Sequence, residues 1–170
     1  MESASGNPLN LDQRSFETLK WSAIWYAVAR GIESVAAQIS PRFMGGFAGE
    51  LANTYGVSYH FGFSFQALIG DIIWGAIYGA IIGLVLSKLY DKIVGWNRQY
   101  LKGKLSTFFK LLFYPALFGS ILGFFSLFAA LGSVTGIMPF LIVIGGAILA
   151  NYLYAAMMTK HVGAMYGPTV

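Results

Sequence analysis

Cysteine is absent from the 170 residues, which excludes a disulfide framework, a thiolate metal site and a cysteine nucleophile. Charge is scarce. Asp, Glu, Lys and Arg make up 11% of the chain, against roughly a quarter in soluble domains, while 56% of residues are hydrophobic. No polar stretch is long enough or mixed enough to close a core of its own, so a separate soluble domain is not expected. A Ser-His-Asp set, a paired-carboxylate pattern and HExxH are all missing, so no catalytic residue is assigned and no activity of the chain's own is expected. The opening "MESASGNPLNLDQRS" lacks a basic region before an apolar run, which argues against a cleaved signal peptide.

What the chain does have is apolar length, with a mean hydropathy of +0.63. Crossing a ~30 Å hydrocarbon layer takes about 20 helical residues, and four stretches meet that demand: about 19–39, 67–89, 107–131 and 137–158. Pro115 either kinks the third stretch or stands in the first turn of a shorter helix. The first stretch carries Arg30 and Glu33 near its middle. It is either a span with a polar stripe or a helix lying in the membrane interface.

Basic residues arbitrate between those two options. Arg14, Lys20, Lys88, Lys92, Arg98, Lys102, Lys104, Lys110 and Lys160 fall on one side if all four stretches span, and only Arg42 falls on the other. That asymmetry predicts an all-α polytopic protein of the cell membrane, a prokaryotic plasma membrane, as a single domain over 1–170 with both ends cytoplasmic. A basic cytoplasmic loop then covers 90–106 and an outer loop covers 40–64. The net charge of +4 reports orientation rather than nucleic acid, which is not an expected partner.

Ser40–Pro41 should end the first helix. Within the outer loop, "FMGGFAGELANTYG" could form a short surface helix closed by Gly56. His60 and His161, the only histidines, fall on opposite sides of the membrane and cannot share an ion within one chain. No metal or cofactor site is assigned, and lone interfacial histidines are ordinarily surface residues.

The stretch "DIIWGAIYGAIIGLVLSKLYDK" holds Gly75, Gly79 and Gly83. Residues four apart stack on one helix face, so these glycines form a groove without side chains, a device for close helix packing in membranes. Gly119 with Gly123, and Gly146 with Ala150, repeat it. Whether these faces pack within the chain or on another subunit is not decided by spacing. A glycine phosphate cradle is not expected, because such glycines belong in a loop between a strand and a helix. The loop "YGVSY" followed by "GDIIWGAIYGAIIGLVLSKLYDK" resembles the second helix of small prokaryotic holin-like membrane proteins, over 19–92. That resemblance implies a helical hairpin and no activity.

Polar residues inside a bilayer cost at least ~2.5 kcal/mol when charged, and each is a functional hypothesis. Arg30 and Glu33, three apart, can pair on one face that Ser22, Tyr26, Ser34 and Gln38 extend. That stripe either orients the helix against its neighbours or lines an ion path. Asp71 reads first as a helix-end carboxylate favoured by the dipole, and next as a partner of Arg30 or Arg42. Asn151 needs a partner across a helix interface. Together these features predict a non-catalytic accessory or scaffolding subunit of a larger membrane complex, its partners being the lipid bilayer and other membrane subunits as a hetero-oligomer or homo-oligomer. The alternative is a small homo-oligomeric channel, holin or transporter using Arg30, Glu33 and Asp71.

Overall fold

The computed structural model describes residues 12–40, 63–97, 107–131 and 137–166, with side-chain surroundings for 12–40, 63–94, 108–122 and 141–166. Among them are four α-helices: α1 (Gln13–Ile39), α2 (Phe65–Asn97), α3 (Thr107–Leu131) and α4 (Ile137–Val162), the last followed by a 3₁₀ turn, Gly163–Tyr166. The fold is all-α. Two helices are long and apolar enough to cross a membrane, within Phe65–Val94 and Leu141–Tyr166, and a shorter apolar stretch occupies Phe108–Leu122. Only 17% of the most apolar window of α2 is buried. Ile69, Ile73, Trp74, Ile77 and Ile81 stand uncovered on its outer face. A helix so apolar and so little covered is unlike the core helix of a soluble protein, which buries its greasy side.

The least apolar helix is the central one. α1 packs along both α2 and α4, and α3 leans on α4. Contacts run in opposite order along each pair. Ser87 meets Ser15 while Ser64 meets Gln38, so α1 and α2 are antiparallel. Tyr166 meets Thr18 while Gly146 faces Ala36, so α1 and α4 are antiparallel too. Phe108 stacks near Tyr166 and Ser120 bonds Asn151, which turns α3 against α4. The start of α1, the ends of α2 and α4 and the start of α3 therefore gather at one end of the bundle.

Local chemistry explains the element ends. Asp12 caps α1, its carboxylate accepting from the Ser15 amide at 2.7 Å. Ser64 caps α2: its hydroxyl accepts from the Ala67 amide at 3.2 Å, and its carbonyl accepts from Leu68. α2 begins at Phe65 and runs to Asn97, so the stretch expected as a basic loop from 90 opens as helix. Tyr90 is buried and Asp91 pairs with Arg14 at 3.3 Å, anchoring that extra length. Pro115 lies inside an unbroken α3. The proposed surface helix, Gly56, His60, Arg42 and the basic residues 98–104 lie outside the described residues.

Candidate functional site

The line of small residues on α2 has a polar residue at each end. Asp71, Gly75, Gly79, Gly83 and Ser87 recur every fourth position and share one face. That face meets α1. A Cβ built at Gly79 would lie 2.6 Å from the Tyr26 Cβ and 2.5 Å from the Ser22 carbonyl oxygen; one at Gly83 would lie 2.7 Å from the Thr18 carbonyl oxygen. One at Gly75 would lie 2.9 Å from the Arg30 Cβ and Cγ. The two backbones approach too closely for any side chain, and the Arg30 stem crosses α2 over Gly75.

Asp71, one turn further along that face, is thereby brought to the Arg30 guanidinium at 3.8 Å. This corrects the expectation of a helix-end carboxylate. The helix starts at Phe65, Ser64 supplies the cap, and Asp71 lies beyond the first turn, where no free amides remain.

Arg30 also donates to Glu33 at 2.7 Å. The other Glu33 oxygen accepts from the Ser120 hydroxyl of α3 at 3.3 Å. Asn151 of α4 donates to Ser120 at 3.0 Å and to the Ala147 carbonyl at 2.8 Å. One connected set of polar groups thus draws a member from each of the four helices. Around it lies a cavity of about 580 Å³, walled by Arg30, Glu33, Asp71, Ser120 and Asn151 together with smaller side chains. α3 leaves the space open because it presents Pro115, Ala116, Gly119 and Ser120 there, and a Cβ at Gly119 would meet nothing within 4 Å.

One guanidinium faces two carboxylates, which leaves the site one formal negative charge. Glu33 accepts on both oxygens, whereas Asp71 has Arg30 as its sole charged partner among the described residues. Chemically the arrangement suits holding a cation or a hydrogen-bond donor. Among the described residues, no three His, Asp or Glu side chains lie close enough to hold a metal ion.

A second polar region lies at the opposite end of α1, where the hydroxyls pair with one another. Thr18 and Tyr166 share a hydrogen bond at 2.6 Å, Ser22 and Tyr154 share one at 2.7 Å, and Ser87 donates to Ser15 at 3.0 Å. These serines, Thr18 and both tyrosines are buried. Arg14 lies over the Tyr166 ring at 4.0 Å. His161 is not the free surface residue expected of a lone interfacial histidine. It stacks on Trp21 at 3.8 Å and donates from Nδ1 to the Met157 carbonyl, because α4 turns its last helical turn onto α1.

Of the glycines singled out in the sequence, Gly146 faces Ala36 of α1, where an added Cβ would lie 2.5 Å from the Ala36 Cβ. Gly119 faces the cavity, and the surroundings of Gly123 lie outside the described residues. Ser120, Tyr154 and Tyr166 were not foreseen as partners. The one available signal was the fourfold repeat Ser22–Tyr26–Arg30–Ser34 on α1, which marks a polar face in need of hydroxyls and amides opposite.

No family model, curated protein or solved structure matches this chain. The resemblance to holin-like proteins rests on the sequence pattern alone.

Proposed function

We propose that this chain is a multi-pass membrane protein with four spanning helices and both ends cytoplasmic, and that it binds a small cationic solute at the four-helix pocket and carries it across the membrane. The observation that carries this reading is the convergence of Arg30, Glu33, Asp71, Ser120 and Asn151 from four helices around one cavity. Ionisable groups are expensive in a bilayer and mark solute or ion pathways when they face a bundle interior.

Four spans are supported by the position of α1. A helix lying antiparallel along an apolar helix from Ser15 to Gln38 crosses whatever that helix crosses. The orientation is supported by Arg14, Lys20, Lys88, Lys92, Lys110 and Lys160, which gather at the end of the bundle where α1 and α3 start and α2 and α4 end.

A carrier fits better than a pore between copies. The polar groups line one cavity within a single chain, with Arg30 and Asp71 partly exposed, while the outward face of α2 is apolar. The glycine faces that suggested an accessory subunit are filled from within the chain at Gly75, Gly79, Gly83 and Gly146. That removes one argument for a partner.

The test is uptake of radiolabelled tetramethylammonium, a permanent cation that does not cross lipid unaided, into vesicles reconstituted with the full chain. Saturable uptake is expected, reduced at least tenfold in Glu33→Gln and Asp71→Asn. Absence of saturable binding and uptake would overturn the reading. Isolation with unlike chains in fixed stoichiometry, with pocket variants fully functional, would favour the accessory role instead.

A further inference from the structure

The polar pocket does not end where its charges end. A second cavity, of about 400 Å³, adjoins it and shares Tyr26, Pro115 and Ala116 with its wall. Its remaining lining is wholly hydrocarbon on α2 and α3, with Ile81, Ile82, Val85 and Ile93 opposite Leu111 and Leu112, and Tyr154 closing the back. Among the described residues α2 and α3 hardly touch, and the cleft lies between them, while α1 packs on α2 and α4 and α3 leans on α4. From Ile81 to Ile93 it follows about 18 Å of helix. Val85 on its wall is 49% exposed, so the cleft communicates with the surroundings of the bundle.

Two neighbouring cavities with Tyr26, Pro115 and Ala116 in both walls, one net acidic and one apolar, suit a molecule with a charged head and an apolar tail. On the reading of the polar pocket as a solute site, we infer that the solute is a single-tailed cationic amphiphile. Its head lies against Asp71 and Glu33, and its tail lies in the α2–α3 cleft. Neither cavity alone asks for such a molecule. A small hydrophilic cation would use the polar cavity alone, and a neutral hydrocarbon would use the cleft alone and leave the Asp71 carboxylate with Arg30. The head chemistry follows from the excess carboxylate, and the tail follows from a hydrocarbon wall that begins at the residues lining the head site.

The inference is tested with the full chain in lipid nanodiscs, by displacement of radiolabelled tetramethylammonium with butyl-, octyl- and dodecyltrimethylammonium. Dodecyltrimethylammonium should displace the label at a concentration about a hundredfold below that of unlabelled tetramethylammonium, with the shorter chains between. Partitioning of the longer chain into the bilayer also raises its potency, so the deciding comparison is with cleft-filled variants, Val85→Trp from α2 and Leu111→Trp from α3. Both should bind tetramethylammonium as the unaltered chain does, while the advantage of the dodecyl chain shrinks at least tenfold. Two variants on opposite walls guard against one failing to fold, and the thermal unfolding midpoint reports on each.

Tetramethylammonium binding with the same chain-length advantage in the unaltered and cleft-filled forms would overturn the amphiphile and leave the small-cation pocket standing. Dodecyl binding that needs the cleft but is indifferent to Asp71→Asn would overturn the cationic head. Failure of every cation to bind would overturn the pocket reading together with the inference built on it.

Discussion

The two ends of α1 carry similar residues and put them to opposite use. Toward its start, Ser15, Thr18 and Ser22 are buried against Ser87, Tyr166 and Tyr154, with hydrogen bonds of 2.6–3.0 Å. Beyond its middle, Arg30 meets Asp71 at 3.8 Å and Glu33 meets Ser120 at 3.3 Å, with Asn151 bonded to Ser120, around a cavity. The first group is consumed by folding, because every hydroxyl has a partner at close range. The second is only partly consumed. Polarity alone therefore does not mark a site; what marks it is polar capacity left over after the helices have packed.

The sharpest way to break that comparison is to remove the close approach both ends depend on. Gly79→Leu would place carbon where Tyr26 and the Ser22 carbonyl already lie, and overpacking of this kind should cost about 3 kcal/mol, measured by denaturant unfolding in mixed micelles. Stability near that of the unaltered chain would mean that α1 and α2 are not packed this tightly.

Next come substitutions that should separate the two ends. Thr18→Val and Tyr166→Phe each remove one partner of a buried hydrogen bond and should cost about 1 kcal/mol, with the double variant costing less than the sum. Both should leave tetramethylammonium binding unchanged. Glu33→Gln should do the reverse, with binding down at least tenfold and a loss of stability smaller than that of Thr18→Val, because Arg30 keeps Asp71 as a carboxylate partner. If Glu33→Gln destabilised as much as Thr18→Val and spared binding, the pocket would be structural like the opposite end.

A smaller effect of opposite sign is expected at Gly119. Alanine there meets nothing and replaces a helix-weakening residue, so Gly119→Ala should stabilise by about 0.5 kcal/mol, visible as a raised unfolding midpoint. The contrast with Gly79 tests which glycines are packed and which border a cavity.

The smallest effect is acid sensitivity at the cap of α1. The Ser15 amide, the Lys88 ammonium at 3.0 Å and the Ser15 hydroxyl hold the Asp12 carboxyl down at about 2. A depressed carboxyl stabilises above its ordinary value near 4, and that contribution is lost as pH falls from about 4 to about 2. Asp12→Asn keeps a capping oxygen but should flatten this part of the stability profile between those pH values.

Much of this architecture was legible in the sequence, and its limits have physical causes. The apolar runs locate α2, α3 and α4 because length and composition suffice for long apolar helices. The stripe 22–26–30–34–38 and the glycines at 75, 79 and 83 were visible, since fourfold spacing alone defines a helix face. Their meeting was not, because spacing tells which residues share a face and not which face lies opposite. Asp71 reads as a helix end in the sequence because the apolar run starts only a few residues before it, whereas Ser64 caps the helix further back. Ser120 carried no signal at all. A lone serine within an apolar helix usually bonds its own backbone, and only the placement of α3 beside Glu33 gives it another role.

The central position of α1 also bears on how the chain is made. Helices leave the ribosome in order, so α1 emerges first and α4 last, yet α4 holds Tyr154, the hydroxyl that partners Ser22, and leads into the turn that brings Tyr166 to Thr18. α2 can cover the glycine-facing side of α1 early, but the other side stays without its partners until nearly the whole chain has been synthesised. A chain stopped before Tyr154 would leave the Ser22 hydroxyl unmatched and the α4-facing flank of α1 bare, a form that quality-control proteases can distinguish from the finished protein.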